Sequence, residues 1–254
     1  MKKIILAAAA ATVLSMPMAV NAAEDIAVPT QEWSFNGLLG TFDKQQLQRG
    51  LQVYREVCAA CHGLKYIAFR NFEALGYSEG QIKALAEEHQ VEDGPDEFGD
   101  MFMRPAKASD YLPAPFPNDA VARMANGGAL PPDLSLITKA RPNGPDYVYN
   151  LMLGYEDPPA DVELMPGMSY NKYFPGHQIA MGVQVFDDRV AYADGTEATS
   201  EQIAKDVTAF LHWAAEPKLE ARHSMGLKVM LYTLLFTVLA YLLKVRIWSR
   251  LEKK

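Results

Sequence analysis

The chain has 254 residues, 49% of them hydrophobic and 22% charged, with a formal net charge of −7. That is enough apolar material to bury a full core without a disulfide framework, and it excludes an intrinsically disordered chain. The acidic balance also excludes the basic footprint of a nucleic-acid-binding protein. Residues 1–22 read as a secretory signal: Lys2 and Lys3, an apolar run from Ile4 to Leu14, then small residues around Val20-Asn21-Ala22, with cleavage expected after Ala22 or Ala23. The mature chain is therefore expected to be exported, its soluble part running from 23 to 224.

The first element of that part is an amphipathic helix. Asp43 with Gln46 three positions later has the form of a capping box, and Leu47, Leu51, Tyr54 and Val57 or Cys58 recur at helical spacing. The helix ends in Cys58-Ala59-Ala60-Cys61-His62, which is C-x-x-C-H, the attachment pattern for c-type haem. Cysteines at i and i+3 share a helix face, so both thiols can reach the vinyl groups along one porphyrin edge while His62 brings its imidazole under the iron. A thioredoxin-like dithiol is the rival, but such motifs open a helix after a strand, whereas this one closes a helix.

Glu87, Glu88, Glu92, Asp93, Asp96, Glu97 and Asp100 follow as an acidic run with no base in it, and residues 23–227 hold 16 basic against 30 acidic residues, or −14. Such a field steers a basic partner. Of the 16 prolines, 12 fall between Pro95 and Pro166, so this segment holds neither a long helix nor a central strand. Its aromatics, Phe98, Phe102, Tyr111, Phe116, Tyr147, Tyr149 and Tyr155, predict packing against an apolar surface such as a haem. Val183, Val185, Val190 and Tyr192 alternate around Asp187-Asp188, which predicts a small hairpin. Ile203, Val207, Phe210, Leu211 and Ala214 form the stripe of a helix capped by Thr199 and Gln202. Met225 to Leu243, 19 residues with Lys228 as the single charge, are long enough to span a bilayer. The flanking Lys244, Arg246, Arg250, Lys253 and Lys254 place residues 244–254 on the cytoplasmic side, with Tyr241 and Trp248 as interfacial anchors.

The second axial position of an iron at His62 is not chosen by spacing. His89, His177, His212 and His223 and Met101, Met103, Met124, Met152, Met165, Met168 and Met181 are all available. His212 lies off its helix stripe and reads as a surface histidine, His223 is juxtamembrane, and His89 sits in the acidic stretch.

From about Trp33 to the C-terminus the sequence resembles the cytochrome c1 family, the haem c subunit of the ubiquinol:cytochrome c oxidoreductase (cytochrome bc1) complex. The resemblance is carried by RGLQVYREVCAACH (Arg49 to His62), MFMRPAKASDY (Met101 to Tyr111), NGGALPPDLS (Asn126 to Ser135), DYVYNLMLGY (Asp146 to Tyr155), YFPGHQIAM (Tyr173 to Met181) and AKDVTAFLHWAAEP (Ala204 to Pro217). It implies a mainly α fold: a cytochrome c type haem domain with extended proline-rich loops and a small β-hairpin, plus one C-terminal transmembrane helix. It implies one covalent haem c on Cys58, Cys61 and His62, with Met181 as the sixth ligand, Arg141 on a haem propionate, and Asn126, Pro132 and Tyr147 lining the pocket. Two features depart from the family pattern: Gly182-Val183 stand where a proline pair is often found, and the extra cysteine pair of some bacterial members is missing.

The resemblance further implies an electron-transfer subunit in a bacterial cytoplasmic membrane with its haem domain in the periplasm. It would take single electrons from a Rieske iron–sulfur protein and pass them to a soluble cytochrome c, with cytochrome b and membrane lipid as neighbours, and with no acid, base or nucleophile on this chain. A free-standing membrane-anchored carrier and a thiol–disulfide oxidoreductase are the alternatives.

Overall fold

A computed structural model of the chain describes residues 26–249. The signal segment 1–22 and the end of the basic tail, from 250 on, lie outside the described residues. Helix α1 runs Lys44–Val53 and starts where expected, because the Asp43 carboxylate accepts hydrogen bonds from the backbone N–H groups of Gln45 (2.9 Å) and Gln46 (3.3 Å). The return arm of a capping box is absent, since the Gln46 side chain donates instead to Asp206, 3.2 Å away. The helix does not run straight into the C-x-x-C-H motif. Residues Tyr54–Cys58 form a π-helical turn, in which the Ala59 N–H reaches back five residues to the Tyr54 carbonyl at 2.8 Å.

A 3-10 turn over Phe69–Leu75 buries Phe69, Phe72 and Leu75. It leads into α2, Glu79–Glu87, which has a complete capping box from Ser78 and Gln81. Strands β1, Gln90–Asp93, and β2, Phe102–Pro105, pair antiparallel with Gln90 opposite Pro105 and Asp93 opposite Phe102. The proline-rich stretch contains only the short helices α3, Asp119–Ala125, and α4, Gly144–Leu153, the latter opening on Pro145. Strands β3, Ser169–Tyr170, and β4, Gln178–Ile179, form a second small antiparallel pair. Helix α5, Ser200–Ala215, is capped by the Thr199 hydroxyl and is buried on nearly every side. The last helix, α6, runs Leu219–Trp248 and buries only Leu219.

The core lies where α1 and α4 both rest on α5. At the first crossing a Cβ on Gly50 would sit 2.2 Å from the Asp206 carbonyl oxygen and 2.6 Å from the Phe210 Cβ, so only glycine permits the approach. Beside it the Asp206 side chain is fully buried, held by Arg49 at 2.8 Å and by Gln202 at 2.8 Å. Burial opposes the charge on Arg49, but hydrogen bonds to Asp206 and Asp194 outweigh it and hold the guanidinium more firmly ionised. Residues 31–33 are strapped onto α4, since Asp146 accepts from the Trp33 indole (2.7 Å) and the Gln31 backbone (3.1 Å).

Among the described residues α6 is the one helix long and apolar enough to cross a membrane. At about 1.5 Å per residue its length exceeds a ~30 Å hydrocarbon core, which leaves turns at both ends for the interfaces.

Three sequence expectations are corrected. The hairpin expected over 183–192 is not formed. Val185, Val190 and Tyr192 are buried, but their backbone serves turns: Asp188 donates to Ala198 (2.8 Å), and the Asp187 carboxylate accepts from Ser200 at the start of α5 (2.7 Å). Alternation there reflects side chains settling singly onto the core, and the two hairpins lie elsewhere. The aromatics of the proline-rich stretch divide, because Phe98, Phe102 and Tyr111 are exposed on or beside the β1–β2 hairpin while Tyr147 and Tyr149 are buried. His212 is not a surface residue. It stacks on Phe35, with ring centroids 4.3 Å apart, and its Nδ1 lies 3.2 Å from the Thr138 hydroxyl.

Burial holds the His212 imidazole at about 4, against the upward pull of Glu216 and with Lys139 and Arg222 adding to the fall. Between the ordinary histidine value near 6.5 and about 4, the unfolded chain binds a proton that the folded chain refuses, so stability present above that window is lost as the pH falls through it. Replacing His212 by Gln is expected to flatten the pH dependence of thermal unfolding across that window. An unchanged slope in detergent-solubilised protein would refute this.

Candidate functional site

The C-x-x-C-H motif leaves the π-helical turn as a tight bend, with the N–H groups of Cys61 (3.1 Å) and His62 (2.9 Å) both directed to the Cys58 carbonyl. Cys58 and Cys61 are of intermediate exposure and form no disulfide with each other. The surrounding protein desolvates Cys58 and, with Cys61 beside it, pushes its thiol up to about 12. A disulfide oxidoreductase needs the opposite, a thiol lowered far enough to ionise near neutral pH.

His62 is fixed from two sides. The Tyr54 hydroxyl donates to its carbonyl at 2.9 Å, and its Nδ1 lies 2.7 Å from the carbonyl oxygen of Pro132. A carbonyl can only accept, so Nδ1 carries the proton and Nε2 presents its lone pair away from that contact. Burial lowers the imidazole pKa despite the upward pull of the Pro132 bond, which favours the neutral ring. A metal-binding histidine needs this tautomer and this kind of carbonyl partner.

The Pro132 carbonyl is in turn held by the segment that follows. Asp133 accepts from the backbone of Lys65 (2.9 Å) and of Ser135 (3.0 Å), Leu134 donates to Gly63 (2.9 Å), and the Ser135 hydroxyl accepts from Tyr66 (3.2 Å). Residues 132–135 thus lie along 62–66 as a pinned ribbon. Spacing along the sequence gave no signal for this pairing.

Met181 lies in a second group of residues. The turn between β3 and β4 passes through Gly176 (φ 77°) and His177 (φ 59°), and the His177 ring stacks on Tyr170. The turn is organised by Asn171, which is fully buried: its side chain donates to the Leu151 carbonyl (2.7 Å) and accepts from the Tyr173 backbone (3.0 Å). Beyond the turn, the Tyr155 hydroxyl donates to the Met181 carbonyl at 3.0 Å. Burial, with Tyr147 as neighbour, pushes Tyr155 up to about 12, so the hydroxyl remains a donor. Tyr147 in turn faces Arg141, which partly offsets the rise that burial causes in its pKa. Arg141 thus acts on Tyr147, and Tyr155 holds the Met181 backbone.

Of the residues selected from sequence, Cys58, Cys61, His62 and Pro132 lie together, Arg141 sits beside Tyr147, and Met181 is held through its carbonyl by Tyr155. Asn126 makes local contacts, closing α3 with a side-chain bond to the Ala122 carbonyl at 2.7 Å. Tyr54, Asp133, Tyr155 and Asn171 were given no role in the sequence analysis. Of these, Tyr54 drew attention there only as part of the apolar stripe of the first helix, and Tyr155 only as one of the aromatics of the proline-rich stretch. A cleft of about 420 Å³ opens nearby between Arg55, Ala59, Phe69, His89 and Pro115, but none of Cys58, Cys61, His62 and Met181 lines it.

The donor set suits an iron porphyrin. Among the described residues no three His, Cys, Asp or Glu side chains converge to hold a metal by themselves. Two thiols one helical turn apart beside a tautomer-fixed imidazole need a cofactor that brings its own equatorial ligands.

The family model described as Cytochrome C1 family matches residues 33–251, most of the chain. The chain belongs to the cytochrome c1 family. It is 48% identical to cytochrome c1 of Rhodospirillum rubrum, over 94% of each chain. It is 50% identical to the mitochondrial cytochrome c1 haem protein of Kluyveromyces lactis, over 93% of this chain and 82% of that one. A longer protein of Bradyrhizobium diazoefficiens, "Cytochrome b/c1", is 48% identical over 87% of this chain and 35% of its own length. As a cytochrome c1 the chain is a haem electron-transfer subunit of the bc1 complex, and α6 fits the membrane anchor of such a subunit.

Asn171 gives the geometry of this cytochrome c1 a direct test. Asn171→Ala leaves the Tyr173 N–H without its partner and the Leu151 carbonyl with only the long bond from the Gly154 N–H (3.4 Å). It is expected to cost about 1–3 kcal/mol for each group left unsatisfied, read as a fall in Tm with the α-helical circular dichroism of the remaining fold retained. An unchanged Tm would show that the turn before Met181 does not depend on it.

Proposed function

We propose that this chain passes single electrons from a Rieske iron–sulfur protein to a soluble cytochrome c through one covalently attached haem. The observation that carries this is His62, whose Nδ1 is committed to the Pro132 carbonyl so that Nε2 is left for iron, on a motif that sets two thiols one turn apart. Cys58 and Cys61 would hold the group by thioether bonds, and His62 and Met181 would bind its iron. Arg141 meets a propionate, a carboxylate suited to a guanidinium fork. Asn126, Pro132 and Tyr147 line the pocket. When bound, the haem supplies one-electron redox chemistry at a potential raised by the methionine ligand. The protein's own part is to fix the tautomer of His62, to hold Met181 by its backbone through Tyr155, and to keep both partly shielded from water.

Residues 1–22 direct export and are removed, residues 23–224 stand in the periplasm, 225–243 cross the cytoplasmic membrane, and 244–254 remain on the cytoplasmic side. Quinol chemistry belongs to cytochrome b, a partnership supported by the printed name of the Bradyrhizobium relative. Lipid covers the outward face of α6.

The Met181 assignment is tested by Met181→Leu. The variant is expected to keep haem through acid–acetone extraction, to show a clearly lower midpoint potential, and to stop turnover. An unchanged potential eliminates Met181 as a ligand. Loss of extractable b-type haem from the parent preparation would favour a free-standing carrier instead.

Acceptor docking rests on the acidic run, and here not every carboxylate is free. Asp93 is paired with Arg104, and Asp96 accepts from the backbone of Phe98 (2.8 Å) and Asp100 (2.9 Å) to shape the hairpin tip. Glu92, Glu97 and Asp100 are exposed. Neutralising these three is expected to slow electron delivery to a basic cytochrome c several-fold at low salt and much less at high salt, because exposed charges are screened beyond roughly 8 Å at physiological ionic strength. Equal rates for parent and variant at both salt concentrations would remove the run from the docking surface.

A further inference from the structure

The turn that precedes α1 carries two adjacent exposed leucines, Leu38 at 56% and Leu39 at 76% exposure. Single exposed leucines are common and need no explanation, but the place of these two does. The loop closes on itself, with the Thr41 N–H donating to Ser34 (3.0 Å) and the Asn36 N–H to Trp33 (3.1 Å), and it reverses at Gly37 (φ 81°). Gly40 makes the closure possible, since a Cβ there would lie 2.3 Å from the Phe35 carbonyl oxygen.

Two hydrogen bonds fix how this loop lies against α6. The Phe42 N–H donates to Glu220 at 2.8 Å, and the Gly40 carbonyl lies 3.1 Å from His223 Nδ1. Going back along the chain from 42 to 40 therefore moves three residues down α6, about 4.5 Å toward the apolar segment. Extended at the same pitch, that descent would bring the tip at 37–39 to the level of Met225–Leu227, where the exposed apolar side chains of α6 begin. Lys228, with its long side chain, marks the headgroup level close below.

We propose that the Gly37–Leu39 tip enters the headgroup–acyl boundary of the leaflet on the domain side and takes lipid as its partner. The membrane is thus met at two places, by α6 and by the paired leucines. Two contacts prevent the domain from swivelling about a single helix, so the haem domain keeps one orientation to the bilayer. This rests on the reading of α6 as a membrane span.

The test places a spin label at Leu39→Cys, with Leu231→Cys and Glu97→Cys as references, in the haem-loaded complex reconstituted into phosphatidylcholine–phosphatidylglycerol vesicles. The parent, whose Cys58 and Cys61 are committed to haem, supplies the labelling blank. Retention of the haem spectrum shows that each variant has folded, which a substitution at so exposed a position allows. The ratio of accessibility to oxygen over accessibility to a water-soluble nickel chelate reports depth. At Leu39 it is expected to exceed that at Glu97 by about threefold or more, as for an interfacial apolar residue, and to stay below that at Leu231. A Leu39 ratio equal to that of Glu97 beside a high Leu231 ratio overturns the lipid contact and leaves the anchor standing. A Leu39 label closed to both reagents means that protein covers the loop, and this too overturns the proposal. A Leu231 ratio as low as that of Glu97 removes the anchor and the proposal with it.

Discussion

The close crossing of α1 on α5 governs the rest of the molecule. Because Gly50 has no side chain, the α1 backbone comes into contact with the Asp206 carbonyl and the Phe210 side chain. An ion pair buried at such a contact stabilises little by itself, since desolvation cancels most of the attraction, but removing one partner would strand a charge in the core. Arg49, Gln46 and Gln202 therefore act as a register lock on Asp206. The C-x-x-C-H motif begins eight residues beyond Gly50, at the end of the π-helical turn that follows α1. Helix α4, which carries Tyr147, rests on the same α5. The helix that leads into the motif and the helix that carries Tyr147 are thus both referred to one buried helix.

Elements whose signal is local were legible in the sequence. The face of α1, the stripe of α5 with its Thr199 cap, the apolar length of α6 and the attachment motif all repeat at intervals that one helix can satisfy alone. Burial of His212 was not legible, because it depends on Phe35 and Thr138, distant residues that meet it only after folding. The hairpins were misplaced for a related reason: alternation over 183–192 measures burial, whereas a strand needs a partner for its backbone. The β1–β2 pair has that partner, with Arg104 set between Asp93 and Asp110 to hold the two strands against an otherwise repulsive surface.

The site divides in the same way. The residues that would bond to the cofactor announce themselves by type and spacing, and the family resemblance singles out Met181 among seven methionines. The groups that aim them do not. Pro132 contributes through a carbonyl, Tyr155 through a hydroxyl directed at main chain, and Asn171 through an amide that bridges two loops. These are contacts to backbone, and backbone carries no sequence signature.

The π-helical turn at Tyr54–Cys58 separates two mechanical tasks. An α-helix rotates by about 100° per residue, so one surplus residue in a rigid helix would turn either the Gly50 face off α5 or the cysteines away from His62. The wide turn takes up that surplus residue between the two. Distortion imposed on the motif by a large planar cofactor can therefore be absorbed there, as in a compliant coupling between a shaft and its load, before it reaches the helix crossing that keeps the domain folded.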